Sequence, residues 1–398
     1  MQIPDGLEDE GNIEILFDEE DNIVDPSTLE MEGEVPFEDN LAEYIDDGTL
    51  TAISSELLSA YQDDVTSRED WYETFKKGLE LLGIDSEPRS EPFEGASGVY
   101  HPLLAEAVTH FQAQAYKELL PANGPVDTKV MGASNDPKAM QANRVKDFMN
   151  FQLMYKMEEY DPEMDQMLFF LPLAGSAFKK CYFDPAMGRV VSRFVKAEDL
   201  VVPYNATDLH TTPRVSHRFT MTENDLRKLQ LSGFYLDTEM HPSSMSVGDD
   251  SVQDKINQLD GVTPSQRQED FSLIEMHVEL DIEGFEDMGS DGEPTGLALP
   301  YIVTICTDNN DVLAIRRNYV ENDPMRKKVE YFTHYKFLPG LGFYGFGLIH
   351  MIGGVTKSAT AILRQLIDAG TLANLPAGFK SRGLNIQRAD DPVQPGEW

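Results

Sequence analysis

The chain has 398 residues and a mass of 44.7 kDa, with 41% hydrophobic and 26% charged residues. That is enough for two or three ordinary domains and excludes a small disulfide scaffold or a wholly disordered polymer. Lys and Arg number 32 against 70 Asp and Glu, a formal net charge of −38, so bulk positive charge cannot hold nucleic acid and any DNA contact must be local. Two cysteines, Cys181 and Cys306, offer neither a disulfide framework nor a cysteine metal cluster and fit a reducing compartment. The N-terminus lacks the basic and apolar regions of a signal peptide, and no run of about eighteen apolar residues could cross a bilayer, so a cytosolic chain without membrane contact is expected.

The charge is distributed unevenly. Residues 1–67 hold 21 acids and no Lys or Arg, which leaves 49 acids and 32 bases, net −17, for the rest. Residues 1–50 therefore read as a self-repelling, flexible acidic arm that cannot bury enough apolar surface to offset chain entropy. From residue 52 the pattern turns helical, with Ile53, Leu57, Leu58 and Tyr61, then Trp71, Phe75, Leu79 and Leu82, stopped at Gly83. A turn cluster over 92–98 leads into an apolar helix from Leu103 to Leu120, ended by Pro121. Residues 138–160 are again helical, and Met164 to Leu173 form a further apolar stretch that feeds Gly175.

Period-two alternation then predicts a hairpin, Ala177–Phe183 and Arg189–Val195 around the turn 184–188. Thr222 is an N-cap candidate for a short helix through Leu229, and 236–268 reads as a polar surface stretch. Strands are expected over Ser272–Leu280, Tyr301–Ile305, Val312–Val320 and Val329–Phe337, so that 51–340 forms a mixed α+β body. The region 341–375 carries the most regular pattern. Leu348, Ile352, Val355, Ala359, Ile362, Leu366, Ala369 and Ala373 alternate steps of four and three, a heptad seam on one helix of about 25 residues, roughly 38 Å long, ended by Pro376. A long helix with so thin an apolar seam requires a partner, within the chain or in other copies of it.

Sites of known chemistry are scarce. Gly340-Leu-Gly-Phe-Tyr-Gly345 matches the dinucleotide spacing G-x-G-x-x-G, but Pro339 interrupts the preceding strand, and after the helix comes Pro376-Ala-Gly-Phe-Lys rather than a second parallel strand. Glycines 342, 345 and 347 read better as a structural turn that sets the approach of the long helix. No H-x-x-x-H zinc pair, P-loop or G-x-S-x-G elbow occurs, so no catalytic, metal or cofactor site is expected. One local charge feature opposes the global one: residues 335–389 hold Lys336, Lys357, Arg364, Lys380, Arg382 and Arg388 with Asp368 as the single acid, net +5. In one copy these cations can pair with acids elsewhere; in a ring of copies they would form belts that meet a DNA backbone without reading its sequence.

Several blocks, in order, resemble the portal (head-to-tail connector) proteins of short-tailed bacteriophages: 92–103, Pro-Phe-Glu-Gly-Ala-Ser-Gly-Val-Tyr-His-Pro-Leu; 173–180, Leu-Ala-Gly-Ser-Ala-Phe-Lys-Lys; 197–206, Ala-Glu-Asp-Leu-Val-Val-Pro-Tyr-Asn-Ala; 342–350, Gly-Phe-Tyr-Gly-Phe-Gly-Leu-Ile-His; and the runs 363–374 and 375–384. The resemblance covers roughly 90–398 and leaves out the acidic arm. It implies a portal-like wing over 51–340, a stem helix over 341–375 and the start of a clip over 376–398, with the rest of the clip, a returning stem helix and a crown expected beyond Trp398. It further implies a ring, usually of twelve subunits, at one capsid vertex of the virion, assembled in the host cytoplasm with capsid and scaffolding proteins. Through such a ring the terminase, docking by its large subunit, drives double-stranded DNA, and tail adaptor or head-completion proteins attach later. On this resemblance Lys357 and Arg364 are stem candidates for DNA or a neighbour's acid, and Lys380, Arg382 and Arg388 are clip candidates for the terminase. Two other readings compete: a nucleotide-binding oxidoreductase built on Gly340–Gly345, and an acidic scaffold or adaptor whose arm is the working part.

Overall fold

A computed structural model of the chain describes residues 35–83, 96–132, 135–185, 187–240, 255–257, 259, 270–289 and 293–374. The expected clip, 376–398, with Lys380, Arg382 and Arg388, lies outside them, as does most of the arm and of the polar stretch 236–268. The chain forms two units, 1–39 and 40–398. Of the first, residues 35–39 are a turn in which the Asp39 N–H donates to the Pro36 carbonyl at 3.2 Å.

The second unit is α+β. It opens on a 3-10 turn, Leu41–Glu43, followed by helices α1 (Asp47–Ser67), α2 (Glu69–Glu80), α3 (Leu103–Leu119), α4 (Asp136–Phe151) and α5 (Tyr160–Ala174). Strands β1 (Ser176–Asp184), β2 (Arg189–Val195), β3 (Leu200–Val201) and β4 (Arg214–Thr222) come next, then α6 (Glu223–Leu231), β5 (Asp270–Leu280), β6 (Leu299–Cys306), β7 (Asp311–Arg317), β8 (Phe332–Lys336) and the long α7 (Leu348–Asn374).

The predicted arm boundary at residue 50 falls inside α1, and a 3-10 turn capped by Asn40 precedes that helix. The reason is a buried anchor that acidic composition conceals. Leu41 and Ala42 are buried, and the Asn40 side chain caps the 3-10 turn and edges β7, donating to the Leu313 carbonyl (3.0 Å) and accepting from the Ile315 N–H (2.9 Å). Asp46 caps α1 by accepting from the Thr49 N–H at 3.0 Å. Buried Asp64 holds α1 to β4 through Arg214 at 2.8 Å.

The strands form two antiparallel sheets, β2-β1-β8 and β3-β4-β5-β6-β7. The expected hairpin is β1 and β2, with Phe178 opposite Val195 and Asp184 opposite Arg189. Strand β4 was not predicted, although Val215, Phe219 and Met221 alternate along it; basic and polar neighbours dilute the period-two signal. It is nonetheless a central strand, paired with β5 from Arg214–Val278 to Thr222–Asp270. Phe178, Val195, Leu200, Val215, Phe332 and Phe343 join the two sheets in one core. A second core, of Phe75, Leu79, Leu82, Leu104, Val108, Leu173 and Ile349, gathers α2, α3, α5 and the start of α7. Burying each such side chain is worth about 1.5–3 kcal/mol.

Candidate functional site: the long helix and its seating

The glycine turn before α7 is shaped by close backbone approach. Helix α5 ends on Gly175 in the left-handed region (φ 86°), its N–H donating to the Leu171 carbonyl at 2.9 Å. Against this corner lie Gly345 and Gly347. A Cβ on Gly345 would stand 2.7 Å from the Leu338 carbonyl oxygen, and one on Gly347 would stand 2.7 Å from the Gly175 nitrogen and 2.9 Å from the Leu173 carbonyl carbon. Gly342 has nothing within 4 Å of such a Cβ, so space does not demand glycine there. Three amides at the end of the turn bond within the chain: Gly345 N–H donates to Ser176 Oγ (2.8 Å), Phe346 N–H to the Leu338 carbonyl (2.9 Å), and Gly347 N–H to His350 Nδ1 (3.0 Å). Burial holds the His350 imidazole below its usual pKa, which keeps Nδ1 an acceptor. A pyrophosphate cradle opens a parallel βαβ unit, whereas here β8 belongs to an antiparallel sheet.

Aromatic packing fixes the same turn from the other side. The Tyr344 ring stacks on Trp71 with centroids 4.5 Å apart. Arg68, at the junction of α1 and α2, reaches its guanidinium to the Tyr344 hydroxyl and to the carbonyls of Ala197 and Leu200, each at 2.9 Å, and to the carbonyl of Glu198. Burial and the neighbouring Asp199 push the Glu198 carboxyl up to about 7.

Helix α7 runs from Leu348 to Asn374, close to the length expected from its seam, but the seam divides. Leu348 and Ile352 pack inward beside buried Ile349. Beyond them the face turned to the chain is small and polar: Gly353, Thr356, Thr360, Arg364 and Asp368. The last three of these residues hold the segment 97–101. Thr360 Oγ1 accepts from the His101 N–H (3.1 Å), Arg364 donates to the Val99 carbonyl (2.8 Å) and lies 4.3 Å over the Tyr100 ring, and Asp368 accepts from the Ser97 N–H (2.7 Å). The apolar seam faces away from the chain, with Val355 59%, Ile362 66% and Leu366 70% exposed, continued by exposed Met351, Ala369, Leu372 and Ala373.

Of the two stem cations singled out in the sequence, Lys357 is exposed while Arg364 is held by its own chain. Within the single chain Arg364 meets the carbonyls of Val99 and Gly98 and the Tyr100 ring. Sequence reasoning names Asp368 only as the single acid of a basic stretch and misses Thr360 and Ser97, since a polar contact between a helix and a loop segment has no period to detect.

A second polar cluster ties the two sheets. Lys180 of β1 places Nζ 2.6 Å from both carboxylate oxygens of Glu275 on β5, and His277 Nε2 lies 2.8 Å from the same carboxylate. Burial would raise the Glu275 carboxyl, but the Lys180 ammonium and the His277 hydrogen bond outweigh it and hold it well below the usual carboxylate range. Burial and the Lys180 charge push the neighbouring His217 down to about 3. A small open hollow beside it is lined by Leu209, Val215, His277, Lys328, Glu330 and Phe332. The Lys328 ammonium is already held by the Leu209 and Thr212 carbonyls (2.8 and 2.9 Å), and Glu330 pairs with His210. The arrangement is a clamp between sheets, with its polar groups committed to one another.

Among the described residues no group of three His, Cys, Asp or Glu could hold a metal ion, and no helix is long and apolar enough to cross a membrane. No protein-family model matches the chain, and no curated protein matches it at a significant level.

Proposed function

We propose that this chain is the subunit of a phage portal: a ring, usually of twelve copies, at one capsid vertex, through which DNA is packaged and later leaves. The single observation that carries the reading is the exposed seam of α7. Val355, Ile362 and Leu366 lie on the side opposite the residues that seat the helix, so α7 is held firmly by its own chain while offering neighbours an unpartnered apolar stripe. A stripe with few charges, repeated around an axis, is suited to close packing of identical helices. The acidic remainder would not trap DNA, and exposed Lys357 is the stem cation free to meet a phosphate backbone. In this reading the chain is not an enzyme. It would work with terminase, tail adaptors, and capsid and scaffolding proteins.

Negative-stain electron microscopy of the purified chain tests the proposal. Closed rings with a central channel are the expected result; monomers or compact dimers at micromolar concentration would overturn it. Where rings form, Lys357→Glu should impair DNA retention and leave the ring intact.

A further inference from the structure

Helix α4 is built unlike the other α-helices given above, each of which has buried residues. Asn135 caps it by accepting from the Lys138 N–H (3.1 Å), Pro137 sits in its first turn, and a π-helical turn, Gln152–Lys156, continues it. Every residue of α4 is described and none is buried. Its half-buried side packs on its own preceding loop: Asn150 accepts from the Val126 N–H (2.9 Å) and donates to the Val126 carbonyl (3.0 Å), Thr128 donates to the Ala142 carbonyl (2.9 Å), and Lys146 meets Asp127 at 2.7 Å. Residues 121–156 thus form an arm closed upon itself.

The other side carries Met140, Arg144, Phe148, Phe151 and Tyr155, at steps of four, four, three and four, which is one helical stripe. Phe148 is 61% and Tyr155 75% exposed, the Phe151 and Tyr155 rings stack at 6.0 Å, and the Lys156 ammonium lies 5.7 Å from the Phe151 centroid. Aromatic, Met and Arg side chains are the ones enriched in protein–protein contacts and their hot spots. Charge identifies the partner. The arm holds five bases, Lys129, Lys138, Arg144, Lys146 and Lys156, against Asp127, Asp136 and Asp147, net +2, so the other 362 residues of the −38 chain carry net −40.

We infer that the stripe on α4 docks on a second copy of this chain, against acidic surface outside that copy's own arm. Two arms face to face would set like charges together, which costs affinity. The contact is therefore heterologous, arm to body, and such contacts propagate from copy to copy into a ring or a filament. A nucleic-acid partner is disfavoured because the −40 remainder repels it over the same range. The inference rests on the ring reading only for closure; the arm-to-body contact stands without it.

The test uses the full chain. Arg144→Glu combined with Lys156→Glu should weaken self-association about tenfold or more in sedimentation velocity at low salt, while Lys156→Arg alone should leave it unchanged. In parallel, Phe148→p-benzoylphenylalanine should photo-crosslink one copy to another, at peptides outside 121–156. Cross-links confined to the arm, adducts formed only with DNA or an unrelated protein, a chain that stays monomeric, or association indifferent to charge reversal would each overturn the inference. Rings that ignore the arm variants would overturn the arm alone; arm-dependent dimers or open chains without closed rings would keep the arm and overturn the ring.

Discussion

The five-stranded sheet and the helix pair α4 and α7 handle apolar surface in opposite ways. In β5, β6 and β7 the side chains of Leu273, Met276, Tyr301, Val303, Leu313 and Ile315 are buried, and even the charged Glu275 has its partners inside the chain. In α4 and α7 the most regular apolar stripes lie on the outside, while polar or half-buried faces do the work of attachment. A stripe that repeats so regularly and is left in water is the surface on which the proposed contacts between copies rest. The sheet therefore accounts for why the chain folds, and the helices for what it could do afterwards.

The sharpest way to break the self-sufficient side is Glu275→Ala, which leaves Lys180 and His277 buried without their carboxylate. A loss of about 3–5 kcal/mol in urea unfolding is expected; a loss under about 1 kcal/mol would show that the clamp is dispensable. Gly347→Ala forces a methyl against backbone of the α5 corner and should cost roughly 1–3 kcal/mol, whereas Gly342→Ala, with open space around it, should be nearly neutral. Thermal denaturation of the pair separates a packed turn from a merely flexible one.

Acid should also act on the sheet side. His217 has its folded pKa lowered to about 3 from an ordinary 6.5, so its contribution is fully present above pH 6.5 and is lost as pH falls through that window, at up to about 1.4 kcal/mol per pH unit. The titratable groups facing it are Lys180, Glu275 and His277, and Glu275, held low, adds its own loss only further into acid. His217→Gln should flatten the stability profile between pH 6.5 and 4; an unchanged slope would remove His217 from the account.

On the helix side the expected effects on the single chain are smaller. Arg364→Ala should cost about 1–2 kcal/mol and speed hydrogen exchange over 97–101. Replacing Val355, Ile362 and Leu366 together with Ser should change monomer stability by no more than about 0.5 kcal/mol per site yet abolish assembly seen by electron microscopy. A large loss of monomer stability would mean that the stripe serves the fold after all.

Much of this was legible from residues alone, because repeating patterns report local structure. The cap at Thr222 agrees with the helix that starts beside it, the alternation of 177–195 with its hairpin, and the three-and-four spacing of 348–373 with one long helix. The stripe on α4 is equally readable in Met140, Arg144, Phe148, Phe151 and Tyr155. Only the tertiary structure decided which way the α7 seam faces, that Arg364 and Asp368 are spent on residues 97–99, and that Asn40 anchors a segment whose composition reads as disordered. Periodicity gives a helix its two faces but not which one is covered; that depends on residues hundreds of positions away, paired one to one through hydrogen bonds that leave no repeating signature in the sequence.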